Sequence, residues 1–226
     1  MPTNVDNLLS HLHTLHTRIA STCVRIKRDP STIELLPVTK GHGAEKIRQL
    51  YDLGFRRFGE NYVQELRQKA AQLTDLPDLH WVFLGRLQSN KINQLVMVCN
   101  EMHALDQVSH AARLAQAATS PIRVYLAVNC GVESHKTGVP LSQIETFARE
   151  VTAFPKLEIQ GLFALPPENL EPTDQHQLYA ELATRARSIG KGKLSLGMSQ
   201  DLEAAIEAGS TLVRVGTALL GPRESK

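Results

Sequence analysis

The amino-acid sequence predicts a single (β/α)8 barrel spanning residues 1–226. Three observations predict it. Eight short apolar runs alternate with amphipathic helical stretches, more strands than an open doubly wound sheet usually has. No stretch rich in Pro, Gly or Ser breaks the alternation as a linker would, and no long internal repeat or low-complexity segment is present. Hydrophobic residues at 42% and charged residues at 21% match an ordinary folded chain, which excludes disordered and fibrous classes.

The elements follow in order. Val5, Leu8, Leu9, Leu12, Leu15 and Ile19 recur at a spacing of three to four, one face of a helix reaching to about Arg28, where Pro30 stops it. This helix precedes the barrel as an addition to it. The strands are then IELLPV (33–38), RRFGE (56–60), HWVFLG (80–85), MHALD (102–106), IRVYLAVN (122–129), LEIQGLFAL (157–165), KLSLG (193–197) and TLVRVG (211–216). Amphipathic stretches such as AEKIRQLYDLG, NYVQELRQKAAQL and SQDLEAAIEAG separate them. Pro37 conflicts with this reading, because it cannot donate a ladder hydrogen bond in a closed barrel and so weakens the expected pairing of the first strand.

A formal charge of +2, from 25 basic and 23 acidic residues, makes no field that would hold a nucleic acid. Cys23, Cys99 and Cys130 are odd in number and lack metal-ligand spacing, so they read as reduced thiols of a cytoplasmic protein. The amino terminus has no leader pattern, no apolar run approaches a membrane span, and no membrane partner is expected. His11 and His13, two apart, lie on different helix faces, and with His16 they read as surface residues; no metal site is expected.

Barrel sites lie at the carboxyl ends of the strands. Period two puts Leu36, Val38 and Lys40 on one face, so Lys40 either crowns the barrel interior or begins a surface loop. A desolvated Lys40 amine could form a Schiff base with a carbonyl. Arg214 shares a face with Leu212 and Gly216 inside a strand, and a guanidinium there needs a carboxylate, a phosphate, a ring nitrogen or an internal salt bridge. Closure would bring Arg214 beside Lys40. Gly197-Met198-Ser199 and Gly216-Thr217-Ala218 follow the last two strands, where barrels often build a phosphate site. Ser199 could cap the next helix and leave amides facing an anion, whereas Asp201 and Glu203 favour an ordinary capped helix.

Six blocks carry a resemblance over nearly the whole chain: PVTK ending at Lys40, FGENYVQE from Phe58, WVFLGRLQSNK from Trp81, VNCGVESHKTG from Val128, GLFAL from Gly161, and LSLGMSQDLEAAIEAGSTLVRVGTALLG from Leu194. The chain resembles the pyridoxal phosphate homeostasis proteins, small pyridoxal-phosphate-binding barrels of the alanine-racemase N-terminal type. The resemblance implies pyridoxal 5'-phosphate, a vitamin B6 form, held as an aldimine on Lys40. It implies Arg214 facing the pyridine nitrogen, Asn61 beside the ring, and Met198, Ser199, Gly216 and Thr217 around the phosphate. An arginine at that nitrogen donates a hydrogen bond without giving up its proton, so the ring is a weakened electron sink. The chain departs from the family at Thr39, at Phe163 and at Gly41-His42-Gly43, where His42 is expected in a solvated loop. Arg86, Gln88, Ser89, Asn90 and Lys91 either line the cleft or start a polar helix, and Glu133 with Lys136 either take a cleft role or form a loop ion pair.

Racemases of this class use a tyrosine from an additional β domain as second base. The chain ends soon after the eighth strand, and the nearest candidate base, Tyr62, begins a helix and is expected to pack. The expected function is therefore cofactor binding and homeostasis with no catalytic residue, and a monomer is expected. Apoenzymes that need pyridoxal phosphate are the implied recipients. An amino-acid racemase is the alternative, and a metal-free Schiff-base aldolase a third reading.

Overall fold

The computed structural model describes residues 4–131, 138–167 and 170–222. Helix α1 (Asn4–Arg25) ends before Lys27, whose φ of 56° is left-handed. The barrel then runs β1 (Glu34–Pro37), α2 (Ala44–Asp52), β2 (Arg57–Glu60), α3 (Val63–Gln72), β3 (His80–Phe83), α4 (Ile92–Val96), β4 (Glu101–Leu105) and α5 (Val108–Ala117). It continues with β5 (Ile122–Asn129), β6 (Val139–Pro140), α6 (Ile144–Thr152), β7 (Leu157–Ala164), α7 (Pro172–Arg187), β8 (Lys193–Ser195), α8 (Leu202–Ala208), β9 (Leu212–Val215) and α9 (Thr217–Leu220). All the expected strands are present. The unexpected one is the two-residue β6, which lies beside the carboxyl end of β5.

The strands are parallel and ordered β1-β9-β8-β7-β5-β4-β3-β2. A bridge between Val38 and Gly59 closes β2 onto the end of β1, supported by the Thr39 amide donating to the Gly59 carbonyl at 2.9 Å. This fold is the (β/α)8 barrel, with α1 as an added helix. Pro37 is accommodated by parity. The Glu34 amide donates to the carbonyl of Thr211, just before β9, and the Val38 amide to that of Val215 in β9, while the odd-numbered Thr39 donates to β2. The missing Pro37 donor therefore falls on the β1–β2 seam, and the expected weakness is confined to that seam while β1 keeps its four-residue register with β9.

Strand alternation builds two cores. Leu36, Val82, Tyr125, Phe163 and Leu212 point inward and form the cluster inside the barrel. Phe58, Val124, Leu162 and Val213 point outward and pack under the helices. Toward the amino ends of the strands the interior turns charged. Arg57 pairs with Glu34 and Glu101, and Arg123 Nε lies 3.2 Å from Glu101 Oε2.

α1 braces the far side. Arg18 Nε and Nη2 donate to the two Glu203 oxygens at 2.7 and 2.8 Å, and Nη2 also reaches the Ser199 carbonyl at 3.0 Å. The loop after β8 is thereby tied to the added helix. Among the described residues, no helix is long and apolar enough to cross a membrane.

The loop after β3 runs against the start of α3. A Cβ at Gly85 would stand 1.9 Å from the Asn61 carbonyl oxygen, which is backbone and cannot swing aside. Gly85→Ala is therefore expected to destabilise the fold by about 1–3 kcal/mol, read as a lowered urea midpoint. An unchanged midpoint would mean the two backbones are not held this closely.

Candidate functional site

Lys40 is the next inward position after Leu36 and Val38, at the carboxyl end of β1. It is half-buried and sits in a turn closed by the His42 amide donating to the Thr39 carbonyl at 3.1 Å. Gly41 takes the third turn position at φ 75°, where glycine carries no Cβ penalty. The turn folds His42 inward, and its ring is buried at 5% exposure, which corrects the expectation of a solvated loop histidine. Asn61 follows Glu60 on the inward parity of Gly59, across the seam from Lys40. Its Oδ1 is buried and has no hydrogen-bond partner.

Arg214 is aligned with Leu36 in the β1–β9 register, so the lysine and the arginine come from adjacent strands as expected. The guanidinium is 4% exposed. Nη1 donates to the Ser195 hydroxyl at 2.8 Å, Nη2 donates to the Ala164 carbonyl at 2.9 Å, and the Phe163 ring lies 4.7 Å from Cζ. Both acceptors are neutral. Burial pulls the Arg214 guanidinium down to about 10, still high enough to remain protonated at neutral pH.

A relay continues from Ser195. His103 Nδ1 is 3.2 Å from the Ser195 hydroxyl and Nε2 is 2.9 Å from Glu101 Oε1. An ionised Glu101 places the proton on Nε2 and leaves Nδ1 to accept from Ser195, so donation runs in one direction from Arg214 to Glu101.

The two small-residue loops lie after β8 and β9, at the same end of the barrel. Ser199 does not cap the following helix. That helix starts at Leu202 with Asp201 before it, and the Asp201 side chain turns back so that Oδ1 accepts the Met198 amide at 2.6 Å while Oδ2 accepts the Tyr179 hydroxyl. Gly216 precedes α9, whose first residue, Thr217, is exposed. Two open grooves on the flanks, one beside α6 and one beside α1, lie near the amino ends of the strands and away from Lys40.

The family model for the alanine racemase N-terminal domain matches residues 16–224. The pyridoxal phosphate homeostasis protein of Pseudomonas aeruginosa is 39% identical over 225 residues, covering 94% of this chain and 97% of that protein. The chain belongs to the pyridoxal phosphate homeostasis protein family. PipY of Synechococcus elongatus, solved with PLP bound, is 34% identical over a match covering 91% of this chain and 99% of PipY, and superposes at a TM-score of 0.78. Alanine racemase from Corynebacterium glutamicum shares the fold at a TM-score of 0.70 and 18% identity, and the match covers 62% of the racemase.

Against the family expectations, Tyr62 is 63% exposed at the start of α3, which corrects the expectation that it packs. Gln88, Ser89 and Asn90 lie in an exposed turn ahead of α4 and start no helix; Arg86 is exposed and Lys91 half-buried. His11, His13 and His16 are exposed on α1. Glu133 and Lys136 lie outside the described residues. The family resemblance did not announce Ser195, His103 and Glu101, and the expected strand MHALD, starting at Met102, left Glu101 outside it.

The relay makes stability depend on pH. Burial is the largest influence on His103 and lowers its imidazole to about 4 despite the Glu101 bond. Burial alone would raise the Glu101 carboxyl, but the His103 hydrogen bond and Arg57 and Arg123 outweigh it and hold it at about 2. The His103 contribution is complete above its ordinary value near 6.5 and is lost as pH falls toward 4; the Glu101 contribution is lost between about 4.5 and 2. The urea midpoint is expected to fall between pH 7 and 4, with a shallower fall in His103→Gln. Equal slopes in the two proteins would rule out a neutral buried His103.

Proposed function

We propose that this chain holds pyridoxal 5'-phosphate at the barrel mouth, covalently through Lys40, and serves PLP homeostasis without turning over a substrate. The observation that carries this reading is a protonated, buried Arg214 on the strand beside Lys40, whose hydrogen-bond acceptors among the described residues, the Ser195 hydroxyl and the Ala164 carbonyl, are neutral. The donor set fits the cofactor. Lys40 supplies the amine, Arg214 faces the ring nitrogen, and Asn61, with its orphan buried oxygen, lies beside the ring. Met198, Ser199, Gly216 and Thr217 surround the phosphate. The Met198 amide must then exchange its Asp201 acceptor for a phosphate oxygen.

When bound, the cofactor supplies an aldehyde to Lys40 and an electron-withdrawing ring. Arg214 keeps its proton at neutral pH and donates to the ring nitrogen without protonating it, which weakens the ring as an electron sink. That chemistry suits retention better than carbanion formation, in line with relatives named as homeostasis proteins and not as enzymes. The reading includes residues 1–226 acting as one domain and monomer, and a cytoplasmic location suited to three free cysteines. Apoenzymes that use PLP are the recipients.

The absorption spectrum of the purified protein tests the reading. A yellow band, bleached by borohydride and absent from Lys40→Ala, is the expected result. A protein that stays colourless after PLP is added would overturn it, and exchange of an amino-acid α-proton with deuterated solvent would overturn the absence of turnover.

A further inference from the structure

We propose that Lys69, Glu60 and Glu65 form a buried clamp on the backbone around Lys40, and that this clamp sets how long the cofactor stays on that lysine; the second half rests on the role given to Lys40 above. Lys69 lies on α3 and is 5% exposed. Its ammonium donates to the Thr39 carbonyl at 2.7 Å, to Glu60 Oε1 at 2.6 Å and to Glu65 Oε1 at 2.7 Å. Glu65 Oε1 also accepts the Gly41 amide at 2.6 Å, and Glu60 Oε1 accepts the Thr39 hydroxyl at 2.6 Å. Thr39 and Gly41 are the two neighbours of Lys40 in the chain. The carbonyl entering Lys40 and the amide leaving it are thus both tied to the same buried charge cluster. Because peptide units are planar, fixing both of them fixes the φ and ψ of Lys40 and the direction of its Cα–Cβ bond.

This cluster is a costly way to pack α3 against β2. Burial raises the Glu60 carboxyl despite Lys69, and Glu60 Oε2 is buried with no hydrogen-bond partner. Apolar side chains of the same volume would fill the contact with no desolvation penalty. They would offer no donor to the Thr39 carbonyl and no acceptor to the Gly41 amide. The charged trio therefore suits holding the Lys40 turn and is a poor choice for packing alone.

The link to retention is one of effective concentration. Hydrolysis of the lysine–cofactor bond consumes one water and returns the Lys40 amine and the free aldehyde. An amine held in place recaptures that aldehyde before it diffuses away, whereas an amine on a loose turn does so less often. Lys69 and Glu65 act here as positioning residues.

The test compares the wild type with Lys69→Met and Glu65→Ala. Glu65 is partly exposed, so its variant serves if the buried Lys69→Met does not fold. In the cofactor-free proteins, the Gly41 amide is expected to exchange with solvent about tenfold faster in Glu65→Ala, which removes its charge-assisted acceptor, and about threefold faster in Lys69→Met, where Glu65 keeps the amide but loses the ammonium that holds it in place, while the core Leu36 amide is unchanged. Wild-type exchange at Gly41 in a folded variant overturns the clamp, and so does equal acceleration at Leu36. In the loaded proteins, the visible band is followed after dilution into buffer with alkaline phosphatase, which consumes free PLP. Its loss is expected to be several-fold faster in the variants. Faster Gly41 exchange with an unchanged rate of loss overturns the control of retention. Failure of the wild type to take up PLP overturns the preceding reading and the retention claim with it, while the exchange comparison judges the clamp by itself.

Discussion

A guanidinium buried inside the barrel must find acceptors, and most of the interior is arranged around that need. Arg214 cannot rely on water at 4% exposure, so β8 supplies the Ser195 hydroxyl and the end of β7 supplies the Ala164 carbonyl. Ser195 then needs an acceptor for its own proton and finds it in His103 Nδ1, which fixes the histidine tautomer. That tautomer requires an acceptor at Nε2, which is Glu101, and a carboxylate with 1% exposure requires Arg57 and Arg123 beside it. One requirement thus propagates from the mouth to the base of the barrel. The two ends carry charge, and a neutral serine and histidine keep them apart.

The same sequence of requirements accounts for what the chain favours chemically. Both hydrogen-bond acceptors of Arg214 are neutral, and the Asp201 carboxylate acts on it only through space, so its positive charge is not cancelled by a direct ion pair among the described residues. α1 adds to this from outside, since Arg18 holds the Ser199 carbonyl and Glu203 together and steadies the loop after β8. The alanine-racemase fold is retained while its interior is tuned for holding a ligand.

Much of this was legible in the sequence. Eight apolar runs were enough for the barrel and for making the strands of Lys40 and Arg214 neighbours, while period-two parity left Lys40 open between the barrel interior and a surface loop. The polar relay was harder to see, because β4 is buried along all its residues and its register shifts between Met102 and Leu105, so alternation there does not separate the faces. Glu65 and Lys69, four apart on a helix, look like an ordinary surface pair; only the packing of α3 on β2 buries Lys69 with Glu60 and leaves Glu65 partly exposed at the edge. Gly41-His42-Gly43 reads as open loop because local polarity cannot reveal a turn that folds its histidine inward. Ser199 was misplaced as a cap since the rule ranks Ser and Asp together, and here the Asp201 side chain reaches backward to Met198. β6 is too short to carry any pattern.

The proline in β1 gives the ring an uneven circumference. β1 and β9 share a ladder of four residue pairs and β5 and β7 one of seven, whereas the β1–β2 joint rests on the Val38–Gly59 bridge and β8 meets β9 through the single pair Ser195–Leu212. A cylinder laced this unevenly resembles a ribbon rolled up and clasped, with its first and second strands meeting at the clasp. Lys40 and Asn61 stand on the two sides of that clasp, so the proposed ligand groups sit where the wall has some of its thinnest lacing.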